Sequence, residues 1–472
     1  MQEQATSVRC PNCVVLEARV AELEARLAEL EARLAGAGKN SWNSSKPPSS
    51  DVVKPQASAA KGGKRKKRKR GAQPGHPKHE RTPFTPEEID KTKDYTFTRC
   101  PECGDELEVL AQPASVLQQV EIVVKPTRIT EHRSRTCRCR KCHKDFTAPL
   151  PRAVRKAGLV GPRLTTLVSY LKGACHCSVT TIQKYLQDVV GIKLSRGQIR
   201  KLCGKAADSL DSAYAELLQA LPTQKSLNVD ETGHKENGQG MWTWCFRAPL
   251  FTLFGIDPSR GSDVLVKTLG LEFDGVLGCD YFSAYRKYMR LNKHALLQFC
   301  LAHLIRDVRF LVEHPHSRNR AYGKRVLQEL RELFAIIHRR DKYPSEAAFR
   351  GALENQADEV WAQAIYCTPN TKDAQNLARR FRKHGQEYIR FVTTPGVEPT
   401  NNLAEQAIRF VVIDRRITQG SRSLAGRKWL ERIWTAIATC TQHGRSVFHF
   451  LHQSVQACFA QHPTPSLLFG TS

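Results

Sequence analysis

The sequence predicts an α/β protein: a mixed sheet flanked by helices, with a long helical insertion, preceded by smaller N-terminal modules. Three observations predict this architecture. From residue 226 onward, short apolar runs separated by turn residues alternate with helical patterns, which is typical of an α/β core. A leucine repeat opens the chain, and two Cys-x-x-Cys pairs lie between that repeat and the core. At 472 residues, the chain is long enough for several domains.

The composition favours a nucleic-acid partner. Lys and Arg total 73 against 46 Asp and Glu, which gives a net charge of +27. Such a charge attracts polyanions. An anionic membrane is the weaker alternative, because the sequence has neither a basic amphipathic anchor nor a run of about 20 apolar residues. The N-terminus lacks the pattern of a signal peptide, so the 16 cysteines predict reduced thiols or metal ligands and a cytoplasmic setting.

Residues 14–35 predict a parallel coiled coil. Apolar residues alternate spacings of four and three, and the heptad AELEARL occurs twice in tandem. Glu and Arg fall at the flanking positions, where they can pair between two helices. A single solvated helix is the alternative, but it would leave the apolar stripe exposed, so we expect at least a homodimer. The stripe comprises Leu16, Val20, Leu23, Leu27, Leu30 and Leu34. Cys10 and Cys13, just before it, are interpreted as free thiols or as half of a zinc site between two chains.

Residues 36–95 predict a disordered basic linker, since they are rich in Gly, Ser, Pro and Lys and have no hydrophobic period. Seven consecutive basic residues within the linker can neutralise DNA phosphates without reading the base sequence. A solubilising tail is the alternative, but it does not explain so dense a run of one sign. The run consists of Lys64, Arg65, Lys66, Lys67, Arg68, Lys69 and Arg70.

Residues 96–150 predict a small zinc-binding β module. The two Cys-x-x-Cys pairs have the spacing of a structural zinc site, and residues 115–136 between them have the pattern of a strand hairpin. Four thiolates close the coordination tetrahedron, so this Zn2+ is expected to stabilise the module rather than to catalyse. The expected ligands are Cys100, Cys103, Cys139 and Cys142, with Cys137 as an alternative fourth ligand.

Residues 151–222 are helical in pattern, and residues 178–206 predict a helix, a short turn and a second helix. Ser195 followed by Gln198 predicts a capping box for the second helix. A helix-turn-helix would present the basic residues of this second helix to DNA. A structural pair of helices with a solvated basic face is the alternative. The basic residues are Arg196, Arg200, Lys201 and Lys205.

Residues 223–425 predict the α/β core itself. Three strands follow one another as a meander, and helices and strands then alternate. A helical insertion is expected over about residues 313–398, and residues 426–472 predict a C-terminal helical region.

Three acidic residues of the core are candidate metal ligands. Asp230 is expected to end the first strand, Asp280 to end the fourth, and Glu405 lies in the final helix of the core. Three carboxylates brought to one place would repel one another unless a divalent cation held them together. Glu231 points to the opposite side of the first strand and is interpreted as a structural group or as support for the ligands.

A series of motifs then resembles a known family. NSWNSSKPPSSD, GAQPGHPKH, the paired Cys-x-x-Cys motifs, VDET, CDYFSAY, CLAHLIRDVRF and NNLAEQAIR occur in this order. Together they resemble transposases of the bacterial insertion-sequence-66 family over almost the whole chain. The resemblance implies an RNase H-like domain with a DDE triad at Asp230, Asp280 and Glu405. The chain departs from the family at Tyr281, commonly Gly, and at Gln406, often a basic residue.

The resemblance implies a two-metal-ion DNA transposase in a bacterial cytoplasm. Two Mg2+ (or Mn2+) ions about 3.5–4 Å apart would be held by the triad, for hydrolysis and then transesterification of phosphodiesters. The implied partners are double-stranded DNA at the element ends and target, and small accessory proteins encoded beside it. Two alternatives are a catalytically decayed DNA-binding or regulatory protein, and an RNase H-like nuclease that cuts without joining.

Other residues near the motifs are secondary candidates. Cys300 and His303 lie one helical turn apart and are interpreted as support for the site or as metal ligands, or else as a packed Cys and a hydrogen-bonded core His. Arg409 lies four residues after Glu405 and is expected to contact phosphate or to pair with Glu405. Trp242 and Trp244 are expected to belong to the core.

Overall fold

A computed structural model describes residues 11–37, 39–40, 43, 82–97, 99–106, 115–123, 126–143 and 145–468. The chain forms two compact units, one comprising residues 1–56 and 131–472 and the other residues 57–130. The basic run Lys64–Arg70 and Cys10 lie outside the described residues.

A single long helix, α1 (Pro11–Ala37), covers the leucine repeat. Leu16, Leu23 and Leu30 are more than half exposed along it. The helix therefore presents an apolar stripe that the described residues do not cover. No helix in the described ranges combines the length and the apolar character needed to cross a membrane.

The unit of residues 57–130 contains a short 3-10 turn, Pro86–Glu88, whose first residues are capped by Thr85 and Glu88. Phe84 and Gln118 exchange two hydrogen bonds, of 2.6 and 3.0 Å. Cys100 begins a tight turn in which the Gly104 N–H donates to the Cys100 carbonyl over 2.9 Å.

The prediction of a strand hairpin within residues 115–136 is wrong. The described residues 115–123 and 126–135 contain no strand, and a shorter hairpin follows them, formed by β1 (Thr136–Arg138) and β2 (Asp145–Thr147). Apolar side chains of the expected hairpin, such as Val120 and Ile122, stay exposed. A two-stranded ribbon without a surface to pack on is barely stable. The alternation of apolar and polar residues is therefore a poor predictor of strands in this segment.

Five α-helices lie between β2 and the five-stranded sheet: α2 (Arg152–Ala157), α3 (Pro162–Gly173), α4 (Val179–Asp188), α5 (Arg196–Ser209) and α6 (Asp211–Ala220). The predicted capping box at the start of α5 is confirmed, because Ser195 Oγ accepts from the Gln198 N–H and the Gln198 side chain accepts from the Ser195 N–H. Lys205 is not free to face DNA, since its ammonium donates to the carbonyls of Lys156 and Ala157.

The sheet is built from β3 (Ser226–Glu236), β4 (Gln239–Arg247), β5 (Thr252–Asp257), β6 (Val276–Cys279) and β7 (Leu296–Phe299), with α7 (Ser262–Leu269) and α8 (Ser283–Leu291) in the connections. Its strand order is β5-β4-β3-β6-β7. The first three strands pair antiparallel, and β3, β6 and β7 pair parallel. Asn237 and Gly238, both with positive φ, form the tight turn between β3 and β4. The predicted mixed α/β core is thereby confirmed.

Helices complete the fold. Four of them follow β7, namely α9 (Leu301–Val312), α10 (Ser317–His338), α11 (Glu346–Ile365) and α12 (Lys372–Thr393). The last three are α13 (Asn402–Thr418), α14 (Leu424–Gln442) and α15 (Val447–Ala460). Helix α13 packs on β3 and β4, and α14 packs on β5 and on α5. The fully buried Trp434 of α14 anchors this layer.

Candidate active site

The parallel pairing of β3 and β6 brings two of the predicted acids level with each other. Asn228 of β3 faces Gly278 of β6, so Asp230 and Asp280 both stand two residues beyond that pair. Asp280 follows directly after β6, as predicted. Asp230 does not end its strand, since β3 continues to Glu236 and pairs Asp230 with Cys245 of β4. Asp230 instead marks where β3 passes beyond the end of β6.

Asn401 fixes the start of the helix that carries Glu405. Its side-chain amide donates to the Val229 carbonyl over 2.8 Å and accepts from the Asn228 amide over 3.1 Å. Its backbone N–H donates to Cys300 Sγ over 3.1 Å. Because Asn401 is 1% exposed, these bonds are shielded from water and hold the first turn of α13, with Glu405, beside Asp230.

The three carboxylates are close enough to disturb one another. Burial raises the pKa of Asp230 well above its usual range, and the charges of Glu231, Asp280 and Glu405 raise it further. Burial and then the charge of Glu231 raise the pKa of Asp280 to about 6, against the opposing effects of the Phe282 N–H and Arg260. That N–H donates to Asp280 Oδ1 over 2.8 Å and orients the carboxylate.

Glu405 also faces helix α9. Its Oε2 lies 3.5 Å from Arg306 Nη2, and its Oε1 lies 3.4 Å from His303 Nδ1. Neither Oε1 nor Nδ1 has a hydrogen-bond partner among the described residues, although both atoms are buried. Burial lowers the pKa of His303 to about 4, with Arg306 adding to the effect, so the imidazole is neutral near pH 7.

The donor atoms in this region fit a divalent cation. The ligand atoms of Cys300, His303 and Glu405 lie within 4.8 Å of one another. Burial raises the pKa of Cys300 to about 11, and its Sγ accepts a hydrogen bond, so it behaves as a packed thiol. Within the described ranges, no Lys or Arg forms an ion pair with Asp230 or Asp280. Asp230 and Asp280 therefore offer carboxylate oxygens without cationic partners, and such oxygens are the ligands that Mg2+ or Mn2+ prefers.

Glu231 lies on the opposite face of β3, in a network of its own. Its side chain is 2% exposed, and its Oε1 accepts from Arg260 Nη2 over 2.8 Å. Its Oε2 accepts from the Tyr285 hydroxyl. The Arg260 guanidinium lies over the rings of Trp242 and Phe282, 4.5 and 4.0 Å from their centres. Glu231 is thus a buried structural carboxylate whose charge reaches Asp280.

The two tryptophans of β4 behave differently. Trp244 is fully buried, as expected of a core residue. Trp242 is only partly buried and packs against the core while supporting Arg260.

The predicted DNA-contacting arginines that fall within the described residues are on the surface. Arg196 and Arg200 are exposed on α5, and Arg409 is exposed on α13. Arg306 of α9, and not Arg409, lies against Glu405. Arg306 stands three residues after His303 in CLAHLIRDVRF, so its place on the same helical face could have been read from the spacing.

Each of the two Cys-x-x-Cys pairs predicted to bind zinc forms a turn that favours the thiolate form of its first cysteine. The backbone N–H groups of Cys103 and Glu102 lower the pKa of the Cys100 thiol. Those of Cys142 and Lys141 likewise lower the pKa of the Cys139 thiol. Thiolate is the form that ligates metal, so Cys100 and Cys139 are each suited to be a metal ligand. That both Cys-x-x-Cys pairs bind the same Zn2+ stays a prediction.

Comparison with known proteins identifies the family of the chain. The model of the "Transposase IS66 family" matches residues 157–428, and that of a family of unknown function matches residues 2–82. The "Uncharacterized protein y4qI" of Sinorhizobium fredii is 22% identical over 300 residues, which is 57% of this chain and 54% of that protein. The chain thus spans about half the length of this curated relative. Because the transposase model covers more than half of the 472 residues, including all three acids, the chain belongs to the transposase IS66 family.

Proposed function

We propose that this protein is a DNA transposase that cuts the ends of an insertion element and joins them to target DNA. The observation that carries the proposal is the convergence of Asp230, Asp280 and Glu405 on two neighbouring strands and one helix. The strand order, three antiparallel strands followed by two parallel ones, fits an RNase H-like core. Family membership supports DNA as the substrate and a divalent metal as the cofactor.

In the proposed mechanism, Asp230, Asp280 and Glu405 hold the catalytic metal. Mg2+ or Mn2+ held by these residues would lower the pKa of water or of a 3′-hydroxyl and would stabilise the leaving oxygen. The protein's own contribution is to fix the three carboxylates. The Phe282 N–H orients Asp280, while Asn401 sets the position of the helix that bears Glu405.

The two proposed steps use oxygen nucleophiles and no protein nucleophile. In the first step, a water oxygen attacks the phosphorus at the element end, the P–O3′ bond breaks, and a 3′-hydroxyl is released. In the second step, that 3′ oxygen attacks a target phosphate and displaces the target's own 3′ oxygen. The three carboxylates hold the same places in both steps, so one site serves hydrolysis and joining.

Cleavage and joining assays test the proposal. The full-length protein would be incubated with Mg2+ and a duplex carrying the genomic ends that flank its coding sequence. We expect Asp280→Ala to lose both products while keeping DNA binding. Asp274→Ala is the matched control, since Asp274 precedes the same strand but is exposed and paired with Lys225. Binding by the wild type without any product would favour the regulatory alternative, and cutting without joining would favour the nuclease.

We further propose a structural Zn2+ held by Cys100, Cys103, Cys139 and Cys142. Elemental analysis should find one zinc per chain, and Cys103→Ser should lose it. Cys367→Ser is the control, because Cys367 is exposed in a different part of the chain. Retention of zinc in Cys103→Ser would contradict this ligand set.

We also propose that basic residues of the protein contact the DNA backbone. Arg196 and Arg200 on α5, Arg409 on α13 and the run Lys64–Arg70 are positioned or composed for contact with phosphate. Neutralisation of phosphates releases counterions, so removal of Arg196 and Arg200 together should make the dependence of DNA affinity on salt less steep. An unchanged slope would assign these arginines to an ordinary solvated surface.

A further inference from the structure

An arginine near the end of α13 reaches back over the strand that carries the first carboxylate. Arg415 Nη1 donates to Thr232 Oγ1 over 3.1 Å. A Cβ atom placed on Gly233 would lie 3.9 Å from the same nitrogen, so the guanidinium covers the backbone here. Thr232 stands two residues after Asp230, and side chains two apart share a face of a strand, about 7 Å from each other. Arg415 therefore lies on the Asp230 face of β3.

No anionic side chain among the described residues pairs with Arg415. The residue is half-buried, and among the described residues no carboxylate forms an ion pair with it. Glu236, farther along β3, is engaged by Arg427 over 3.3 Å and by Ser421 Oγ over 3.0 Å. The neighbouring Asp414 is buried and accepts from Trp434 Nε1 over 3.2 Å.

The other titratable neighbours of Arg415 do not offset its positive charge, since one is a histidine and the others are arginines. Burial lowers the pKa of His234 to about 4, so that imidazole is neutral near pH 7. Arg416 is exposed beside Arg415, and Arg409 is exposed two turns earlier on the same helix. Burial and the charge of Arg416 both lower the pKa of Arg415, in the direction expected when no anion is near. This end of α13 is therefore a cationic surface that leads away from the acidic triad.

A half-buried guanidinium without an anion has lost hydration without gaining a partner. Thr232 takes one of its five N–H donors, and the planar fork that remains is suited to two parallel hydrogen bonds with phosphate oxygens. An acidic triad repels the backbone of its own substrate until metal is bound. A fixed cation that lies against the same strand would offset that repulsion next to the reaction centre.

We propose that Arg415 is a phosphate-binding residue that grips the DNA backbone next to the scissile phosphate, with Thr232 holding the guanidinium in place. The inference rests on the proposed transposase function and adds a specific contact to it. Arg415 acts on the substrate's position, and the chemistry stays with the three carboxylates and their metal.

Single-phosphate neutralisation provides the test. A set of duplexes bearing the element end would each carry one uncharged methylphosphonate near the cleavage site. Binding would be measured with Ca2+, which accepts the same oxygen ligands, and cleavage with Mg2+. The full-length wild type would be compared with Arg415→Gln, Arg415→Lys and Thr232→Val. Arg331→Gln is the matched control, because Arg331 is an exposed arginine on α10.

In the wild type, one methylphosphonate beside the scissile phosphate should lower binding and cleavage by about 10- to 100-fold, the loss expected for a charge-assisted contact. Arg415→Gln should show a similar loss on unmodified DNA and no additional loss at that one phosphate. Arg415→Lys should recover part of the loss, because it keeps the charge without the fork. Thr232→Val should weaken the same contact less, and Arg331→Gln should match the wild type.

Two results would overturn the inference: Arg415→Gln behaving like Arg331→Gln, or methylphosphonate losses in Arg415→Gln equal to those of the wild type at every phosphate. If the wild type binds but yields no product, the catalytic proposal fails, and the binding map with Ca2+ still decides the role of Arg415. If Arg415→Gln does not fold, Thr232→Val decides: weakened sensitivity at one phosphate supports the contact, and an unchanged map excludes it.

Discussion

Asp280 gives the acidic site a measurable signature at the scale of a single residue. Its pKa of about 6 in the folded protein lies above the ordinary value of 3.8. The folded state therefore binds this proton more tightly than the unfolded state does. Stability from this group is present at low pH and is lost as the pH rises from about 4 through about 6. A metal-free protein thus carries an electrostatic cost at neutral pH.

In EDTA at pH 7, Asp280→Asn should be more stable than the wild type by on the order of 2 kcal/mol. The difference should close near pH 4, where both side chains are neutral. Urea unfolding followed over this pH range measures both effects. Mg2+ should stabilise the wild type more than the variant, and a pH-independent difference would contradict the assignment.

Neutralising Glu231 should have the opposite effect on stability, because Arg260 and Tyr285 compensate its charge. The carboxylate is 2% exposed and is bound by Arg260 and Tyr285. Glu231→Gln should destabilise the protein by about 2 kcal/mol, since it breaks a buried charge-assisted pair. Asp274→Asn, in an exposed pair with Lys225, should cost less than about 0.5 kcal/mol. Equal free energies of unfolding for the two variants would show that the Glu231 network contributes little.

At the scale of the element, the junction after α13 is held by close backbone contact. Gly420 has φ +89°, and a Cβ there would lie 2.1 Å from the Lys235 carbonyl oxygen. Ser421, next in the chain, donates its backbone N–H to that carbonyl over 2.9 Å. Only glycine lets the chain pass so close to β3, so α13 is pinned to this strand at both of its ends.

Gly420→Ala should destabilise the protein by about 3 kcal/mol, the sum of an unfavourable backbone conformation and a steric clash. Gly396→Ala is the matched control, because Gly396 has a similar φ of +79° but open space around it. That control should cost about 1 kcal/mol. Thermal unfolding of both variants measures the difference, and comparable losses would indicate that the clash at Gly420 is relieved by a small shift.

The elements that the sequence predicts best are those with strong periodicity and clear end signals. Ser195 and Gln198 mark the start of α5, and the Asn237–Gly238 turn sets the β3–β4 hairpin. The expected hairpin near Val120 failed, since alternation says nothing about whether a surface is available to cover it. The length of β3 beyond Asp230 was also missed, because strand pairing with β4 continues through polar residues.

The three candidate acids could be selected from the sequence, whereas the side chains that surround them could not. Asp280 follows the end of β6 and Glu405 lies in the first turn of α13, which are local features that a sequence pattern can reveal, whereas Asp230 lies within β3. Arg415 meets Thr232 across 183 residues of chain, and no local pattern encodes such a contact. The same holds for Arg260 and Glu231. The partners of a charged side chain depend on tertiary packing, and the order of helices and strands along the chain does not determine that packing in detail.

At the scale of the whole molecule, the apolar stripe of α1 predicts self-association. Leu23 and Leu30 are 52% and 54% exposed in one chain. Leu23→Lys combined with Leu30→Lys should convert a dimer or larger assembly into a monomer, as measured by light scattering during size-exclusion chromatography. Glu29→Lys, at an outward position of the same helix, should leave the mass unchanged. An unchanged mass for the double variant would place the association elsewhere.

The position of the helices α10–α12 in the chain has a consequence for synthesis. Asp230 and Asp280 are 50 residues apart, but Glu405 follows 125 residues after Asp280. A ribosome completes the first two carboxylates and their strands well before it reaches the third. Because domains fold progressively as they are translated, a nascent chain, or a product truncated by a premature stop codon in these helices, lacks a complete triad. On the proposed mechanism, DNA cutting is withheld until translation has passed Glu405.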